Sequence, residues 1–410
     1  MTTIPANSIE QIRQRIYSVD LLRGVVMMIM LLDHTRDFVH SAAQQFDPTD
    51  LSQTTVPLFY TRWITHFCAP TFVFLSGVSI YLQRLAGKTN AELSRFLFTR
   101  GLWLIFLEFT VVRLGFTFNL DYSFFGAAQV IWAIGFSMVV MAALIYLPVK
   151  WAGAFGIAMI ALHNLLDVFQ ISPQIAFGGQ TPAGSWQAIW LFLHQQGLVS
   201  LFGGPVIFVL YPLIPWIGVM ATGWAFGAIY ASEPTQRSKW LYAIGISTTL
   251  LFVVIRLINI YGDPSVWSSQ SNPAFTFMSF LNTTKYPPSL LYLLMTLGPS
   301  IIVLAMADSI DGKVIWQRIC ITYGRVPMFY YILQWFVAHG AGVLLSVLSG
   351  KEYGYLVVNP GPRTQVPPDA GFSLAVVYAT WIGGLILLYP LCKWWGNLKR
   401  TNKHWLLSYL

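Results

Sequence analysis

Apolar residues run along this chain in long blocks with short polar collars between them. Ten blocks are long enough to cross ~30 Å of hydrocarbon as helices of ~20 residues. Their approximate limits are 18–39, 58–83, 96–118, 127–148, 150–169, 205–231, 239–261, 288–308, 321–348 and 371–395. The pattern predicts an all-α integral membrane protein, with about ten transmembrane helices in one bundle. No internal repeat is visible in the motifs, and no soluble domain interrupts the blocks. The expected organisation is a cytoplasmic segment 1–17, a transmembrane domain 18–395 and a cytoplasmic tail 396–410. The loop Gln170–Gly204 has no Lys, Arg, Asp or Glu but holds Trp186 and Trp190, which suits an interfacial or re-entrant lid.

The first block breaks its own pattern. It is apolar from Leu21 to Leu32 except for Arg23 and Gly24, then ends in Asp33, His34, Arg36 and Asp37. Ionisable groups at membrane depth are costly and mark functional sites by default. On a helix, Arg23 and His34 lie ~20° apart in direction and ~16 Å apart in height. Asp20, Arg23, Met27 and His34 therefore form one stripe. Arg36 is placed to reach Asp33 and His40. A snorkelling arginine plus a polar anchoring collar is the plainer explanation of the same residues. The second block carries Arg62, His66 and Pro70, and its His66 falls at a depth close to that of His34. The two histidines, with Asp33 or Asp37, are expected to line one polar pocket in the outer third of the membrane. Glu108, Arg113, His163, Asn164, Asp167, Arg256, Asn259 and His339 are expected nearby.

Composition narrows the class. Of the 410 residues, 56% are hydrophobic and 10% charged, and the mean hydropathy is +0.60, which excludes an ordinary soluble domain. The net charge of +8 has a topological cause. With both termini cytoplasmic, 17 of the 24 Lys and Arg residues fall at cytoplasmic ends and loops. No basic tract with interleaved aromatics lies outside the apolar blocks, so nucleic acid is not an expected partner. Cys68, Cys320 and Cys392 have no CxxC spacing and read as core residues, with no metal expected.

Several spaced blocks carry a resemblance. Ser18-Val-Asp-x-x-Arg23-Gly followed by Asp33-His34, then Ala69-Pro-x-Phe-Val-Phe-x-x-Gly77, Tyr211-Pro-Leu-Ile-Pro-Trp, Lys285-Tyr-Pro-Pro-Ser and Gly324-Arg-Val-Pro-Met-Phe-Tyr-Tyr resemble the transmembrane acyltransferases related to heparan-α-glucosaminide N-acetyltransferase. The likeness is to that family's bacterial members. Arg23 followed after ten residues by His34 is similar to a signature of bacterial O-acetylating membrane acyltransferases. The resemblance implies a multi-pass protein of the bacterial inner (plasma) membrane. Its acetyl group would come from cytosolic acetyl-CoA and go to an extracytoplasmic hydroxyl or amine acceptor, such as a sugar or envelope glycan.

On this reading His34 or His66 is the base, Asp33 or Asp37 orients it, and Arg36 or His66 offsets oxyanion charge. Arg23, Arg100 and Arg325 would hold the donor phosphates. The lipid bilayer and a second copy in a homodimer complete the expected partners. Two other readings fit the polar residues. One is a proton-coupled transporter of a small polar or anionic solute, and the other a non-catalytic scaffold.

Overall fold

A computed structural model describes residues 6–179, 181–360, 366–402, 404 and 407. Residues 1–5, Arg363, Lys403 and 405–406 and 408–410 of the tail, all used in the topology reading, lie outside them. The chain opens with helix α1 (Ala6–Val39) and the short α2 (Ser41–Gln45). It continues through α3 (Val56–Thr65), α4 (Cys68–Leu85), α5 (Asn90–Leu107), α6 (Arg113–Thr117), α7 (Val130–Leu144) and α8 (Val149–Leu162). After α9 (Trp186–Leu193) come α10 (Leu213–Phe226), α11 (Pro234–Ile258), α12 (Pro273–Leu281) and α13 (Leu290–Ala307). The last three are α14 (Ile315–Gly324), α15 (Pro327–Leu348) and α16 (Leu374–Thr401).

Seven helical stretches among the described residues are long and apolar enough to cross a membrane. They coincide with the second, fifth to ninth and tenth expected blocks. The other three blocks are helical but differ in kind. The first lies within α1, which is charged and runs unbroken from Ala6, so no structural break marks residue 17. The third is split by a π turn, Glu108–Val112, between α5 and α6. The fourth contains only the 15-residue α7. The ninth block, 321–348, is two helices. Val326, just before Pro327 and with φ −127° and ψ 49°, leaves the helical conformation and separates α14 from α15.

Helix α1 is the hub, packed against α4, α13, α14, α15 and α16. Its tightest crossing is with α14. A Cβ at Gly24 would fall 1.8 Å from the Cys320 carbonyl oxygen, and one at Gly324 would fall 1.8 Å from that of Asp20. Only paired glycines allow this backbone-to-backbone approach, the usual means of close helix contact in a membrane. Cys68, Cys320 and Cys392 are buried free thiols.

Two irregularities shape the site. Between α3 and α4 the helix is interrupted at His66–Phe67, and Pro70 supplies no N–H to the His66 carbonyl one turn back. The Tyr292 hydroxyl on α13 donates to that carbonyl at 2.8 Å. In the π turn, Glu108 points at the start of α7, where Oε2 accepts the Trp132 N–H at 2.8 Å. A buried carboxyl group thus caps a helix N-terminus, meeting an N–H that has no partner within the helix.

The all-α expectation needs one correction. Segments between α6 and α10 in the chain form a four-stranded sheet, in the order β1-β4-β3-β2. Its strands are β1 (Phe124–Ala128), β2 (Thr181–Pro182), β3 (Gly197–Ser200) and β4 (Val206–Val209). β4 pairs parallel to β1 and antiparallel to β3, and β2 lies parallel to β3. The expected block 205–231 therefore starts as a strand, and its helix begins only at Leu213. The loop read as a lid contributes α9, β2 and β3. Leu191 and Val199 pack with Ile207, Val209 and Phe109 in a small apolar core of their own.

Candidate functional site

The His34 end of α1 opens into a cavity of about 750 Å³. Asp33, His34 and Asp37 line it from α1, and Arg62 lines it from α3. Its walls include Trp335, Tyr211 and Lys285, with Phe208 of β4 and Ala127 of β1 bringing the sheet to its side. Asp33 is the electrostatic centre. Its oxygens accept from Arg62 Nη1 at 2.8 and 3.0 Å and from the Thr65 hydroxyl at 2.7 Å. Arg36 Nη1 lies 2.8 Å away and Lys285 Nζ 3.9 Å away. One carboxylate is thus held by three cations from α1, α3 and the segment before α13. The His34 ring lies against Trp335 with centroids 3.7 Å apart, and its buried Nδ1 has no hydrogen-bond partner. The imidazole is partly exposed and lines the cavity, a placement suited to proton transfer.

Arg36 bonds Asp33 and Asp37, the latter at 2.5 Å, but is 1% exposed and does not line the cavity. Its place is behind the carboxylates, positioning them. Asp37, by contrast, is exposed. His40 closes the turn after α1, where burial and then the Arg36 charge hold its imidazole below the ordinary histidine range.

His66 goes elsewhere. It lines a separate polar pocket of about 270 Å³ with Asp47, Asn282 and Thr284. Arg62, Lys285 and Tyr286 border both spaces and form the wall between them. The expectation of one pocket shared by both histidines is therefore corrected. Helical rise alone does not set side-chain direction: beside the interruption at His66–Phe67 the His66 ring meets Tyr292, 5.4 Å between centroids.

Beside the middle of α1 a second cavity, about 330 Å³, is lined by Arg23, Arg100, Arg325 and Lys399. All three arginines singled out in the sequence meet here. Arg23 is fixed by Asp20 Oδ1 at 2.9 Å, the Ser79 hydroxyl at 2.8 Å and the Gly324 carbonyl at 3.0 Å. Arg325 Nε stands 3.7 Å from the other Asp20 oxygen. Asp20 thereby orients two of the four cations. The two cavities meet at Met30, Val130 and Tyr331, which line both. On α1 the residue between Arg23 and His34 in this stripe is Met30, while the expected Met27 is fully buried.

Most of the remaining polar residues expected near the histidines are structural. Arg113 donates to the carbonyls of Phe124, Asn119 and Asp121 and pins the turn into β1. Arg256 does the same for the carbonyls of Ser265, Ser279, Phe280 and Asn282. His339 is sandwiched between Phe38 and Phe118 and bonded to the Gly115 carbonyl. His163, Asn164 and Asp167 form their own cluster, where His194 Nε2 meets Asp167 at 3.0 Å. Four lining residues escaped the sequence reading as site groups. Lys285, Tyr331 and Trp335 arrive from far along the chain, and Lys399 read only as topology. A lysine at membrane depth is a signal in its own right.

No curated protein sequence matches the chain. The catalytic-domain model of heparan-α-glucosaminide N-acetyltransferase matches residues 15–261, well over half the chain, and includes Arg23, Met30, Asp33, His34, Arg62 and Val130. The chain is thus a multi-pass membrane protein of the heparan-α-glucosaminide N-acetyltransferase family, the family of a transmembrane acetyltransferase.

Proposed function

We propose that this protein carries acetyl from cytosolic acetyl-CoA through the bilayer to an amine or hydroxyl acceptor on the far side. The observation that carries the reading is the pair of cavities with a common boundary at Met30, Val130 and Tyr331. One is cationic and the other holds an acid–base group. Arg23, Arg100, Arg325 and Lys399 suit the phosphates of coenzyme A through charge-assisted contacts. The ~16 Å rise from Arg23 to His34 suits its thin pantetheine arm. His34 then takes the acceptor proton, and Lys285 and Arg62 offset negative charge at the reacting centre. A glucosaminide-type sugar is the acceptor class that the family's name supports, and aromatic walls at Tyr211 and Trp335 beside carboxylates suit a sugar ring.

All ten blocks span on this reading, with both termini cytoplasmic in a bacterial inner membrane. The excess of 17 basic residues over 7 at the cytoplasmic ends supports that orientation. A scaffold needs no paired cavities, and the family assignment lends the transporter no support.

The test uses purified protein in proteoliposomes, with acetyl-labelled CoA on one side and D-glucosamine on the other. Protein-dependent labelled N-acetylglucosamine or O-acetyl sugar is expected. Absence of both donor binding and transfer would overturn the reading.

A further inference from the structure

The boundary between the cavities has one polar member. Met30 and Val130 are apolar, whereas Tyr331 on α15 is a phenol whose hydroxyl is buried. That residue is 4% exposed, and its hydroxyl has no hydrogen-bond acceptor. Its polar neighbours are the Trp335 indole, 6.4 Å between ring centroids, and the Glu108 carboxyl, which is near enough to act on it by charge but makes no hydrogen bond to it. An indole N–H can only donate, so the Tyr331 O–H proton stays unspent. Buried donors without acceptors are rare in folded proteins and call for a partner. The same Trp335 rests on His34 at 3.7 Å. A single indole thus packs against the phenol at the boundary and the imidazole in the cavity beyond. Met30 is itself held, since Gln334 Nε2 donates to its sulfur at 2.8 Å.

We propose that Tyr331 is a catalytic residue, whose hydroxyl donates a hydrogen bond to the thioester carbonyl oxygen of the acyl donor at this boundary. The assignment rests on the acyl-transfer reading and adds to it the group that meets the developing oxyanion. An acceptor amine or hydroxyl attacks the carbonyl carbon, forming the new C–N or C–O bond. The carbonyl π pair moves to oxygen, where the Tyr331 O–H bonds it. His34 takes the proton from the attacking atom. Collapse re-forms C=O and breaks C–S, and the departing CoA thiolate takes the proton from His34. The products are the acylated acceptor and CoA-SH, with no further reactant. A phenol placed where charge develops, in a site shielded from water, contributes through the strength of that hydrogen bond in the transition state.

The test compares wild type with Tyr331→Phe in detergent or proteoliposomes, using acetyl-CoA and D-glucosamine. Removing one oxyanion donor typically costs ~10²–10³ in rate, so kcat should fall about 100-fold. Acetyl-CoA affinity should stay within about twofold, and the unfolding temperature should hold. A second readout is the carbonyl stretch of [1-¹³C]acetyl-CoA bound to His34→Ala protein, which holds donor without turnover. The band should lie lower with Tyr331 present than in His34→Ala/Tyr331→Phe. Full kcat in Tyr331→Phe, or identical bands, overturns the assignment while leaving acyl transfer intact. A wild type that binds no acetyl-CoA overturns both.

Discussion

Asp33 on α1 takes two hydrogen bonds from a single nitrogen of Arg62 on α3, at 2.8 and 3.0 Å, and so locks two helices at the mouth of the His34 cavity. Arg36 and Lys285 face the same carboxylate, which makes the cluster asymmetric. Removing Arg62 leaves Asp33 with two cations. Removing Asp33 leaves three cations facing one another in a buried place.

Asp33→Ala should therefore destabilise more than Arg62→Ala. Breaking a buried ion pair by deleting one partner costs about 3–5 kcal/mol, and Asp33→Ala belongs at the upper end. Thermal unfolding in detergent measures both. An equal or larger loss from Arg62→Ala would contradict the picture of Asp33 as the hub.

The two histidines should separate in kinetics. His34→Ala should lower acetyl transfer by about 10²–10⁴, the range for loss of a general base, with acetyl-CoA affinity nearly unchanged. His66→Ala should keep most of the rate, because Arg62 and Lys285 stand between its pocket and the His34 cavity. Turnover assays and donor titrations decide it. Should His66→Ala be the inactive one, the base has been misassigned.

The cationic cavity can be probed by shortening the donor. Hydrogen bonds to charged groups are worth about 1.5–3 kcal/mol, so Arg100→Ala should weaken acetyl-CoA binding by roughly 10- to 100-fold. Arg23→Ala should act in the same direction. S-acetylpantetheine, which lacks the phosphates, should bind wild type and Arg100→Ala alike. An equal loss for both donors would mean that the arginines do not read phosphate.

The α1–α14 crossing leaves no room for a methyl group. Gly24→Ala places its Cβ on the Cys320 carbonyl, and Gly324→Ala on that of Asp20. Overpacking of this kind costs about 1–3 kcal/mol or more, and both obstacles are backbone. Each variant should lower the unfolding temperature. Arg23, which bonds the Gly324 carbonyl, should lose donor affinity with it. An unfolding temperature matching wild type in both variants would refute this crossing.

The sequence made the membrane class and the α1 stripe readable because both follow from helical arithmetic within one segment. Arg23, His34 and the charged collar lie on a single unbroken helix, so their relation needs no tertiary knowledge. Arg100 and Arg325 were reachable as cations near the ends of apolar blocks. What escaped depends on contacts between distant segments. Lys285 stands 252 positions from Asp33 in the chain, by 285 − 33, and nothing local announces their meeting. Strands of two to five residues have too little length for a periodic signal; β2 and β3 sit in the loop read as a lid, and β4 sits in a block that reads as helix. His66 shows a subtler loss. Depth can be computed from residue rise, but side-chain direction cannot once the helix is interrupted.

Because Arg23 and His34 ride on one continuous helix, α1 acts as a caliper of fixed gauge. Bilayers of different thickness tilt or bend the peripheral spans at modest cost. They do not stretch a helix whose every residue contributes the same rise. The interval between Arg23 and His34 is thus insulated from lipid composition, and the same reach is kept whatever the length of the surrounding acyl chains.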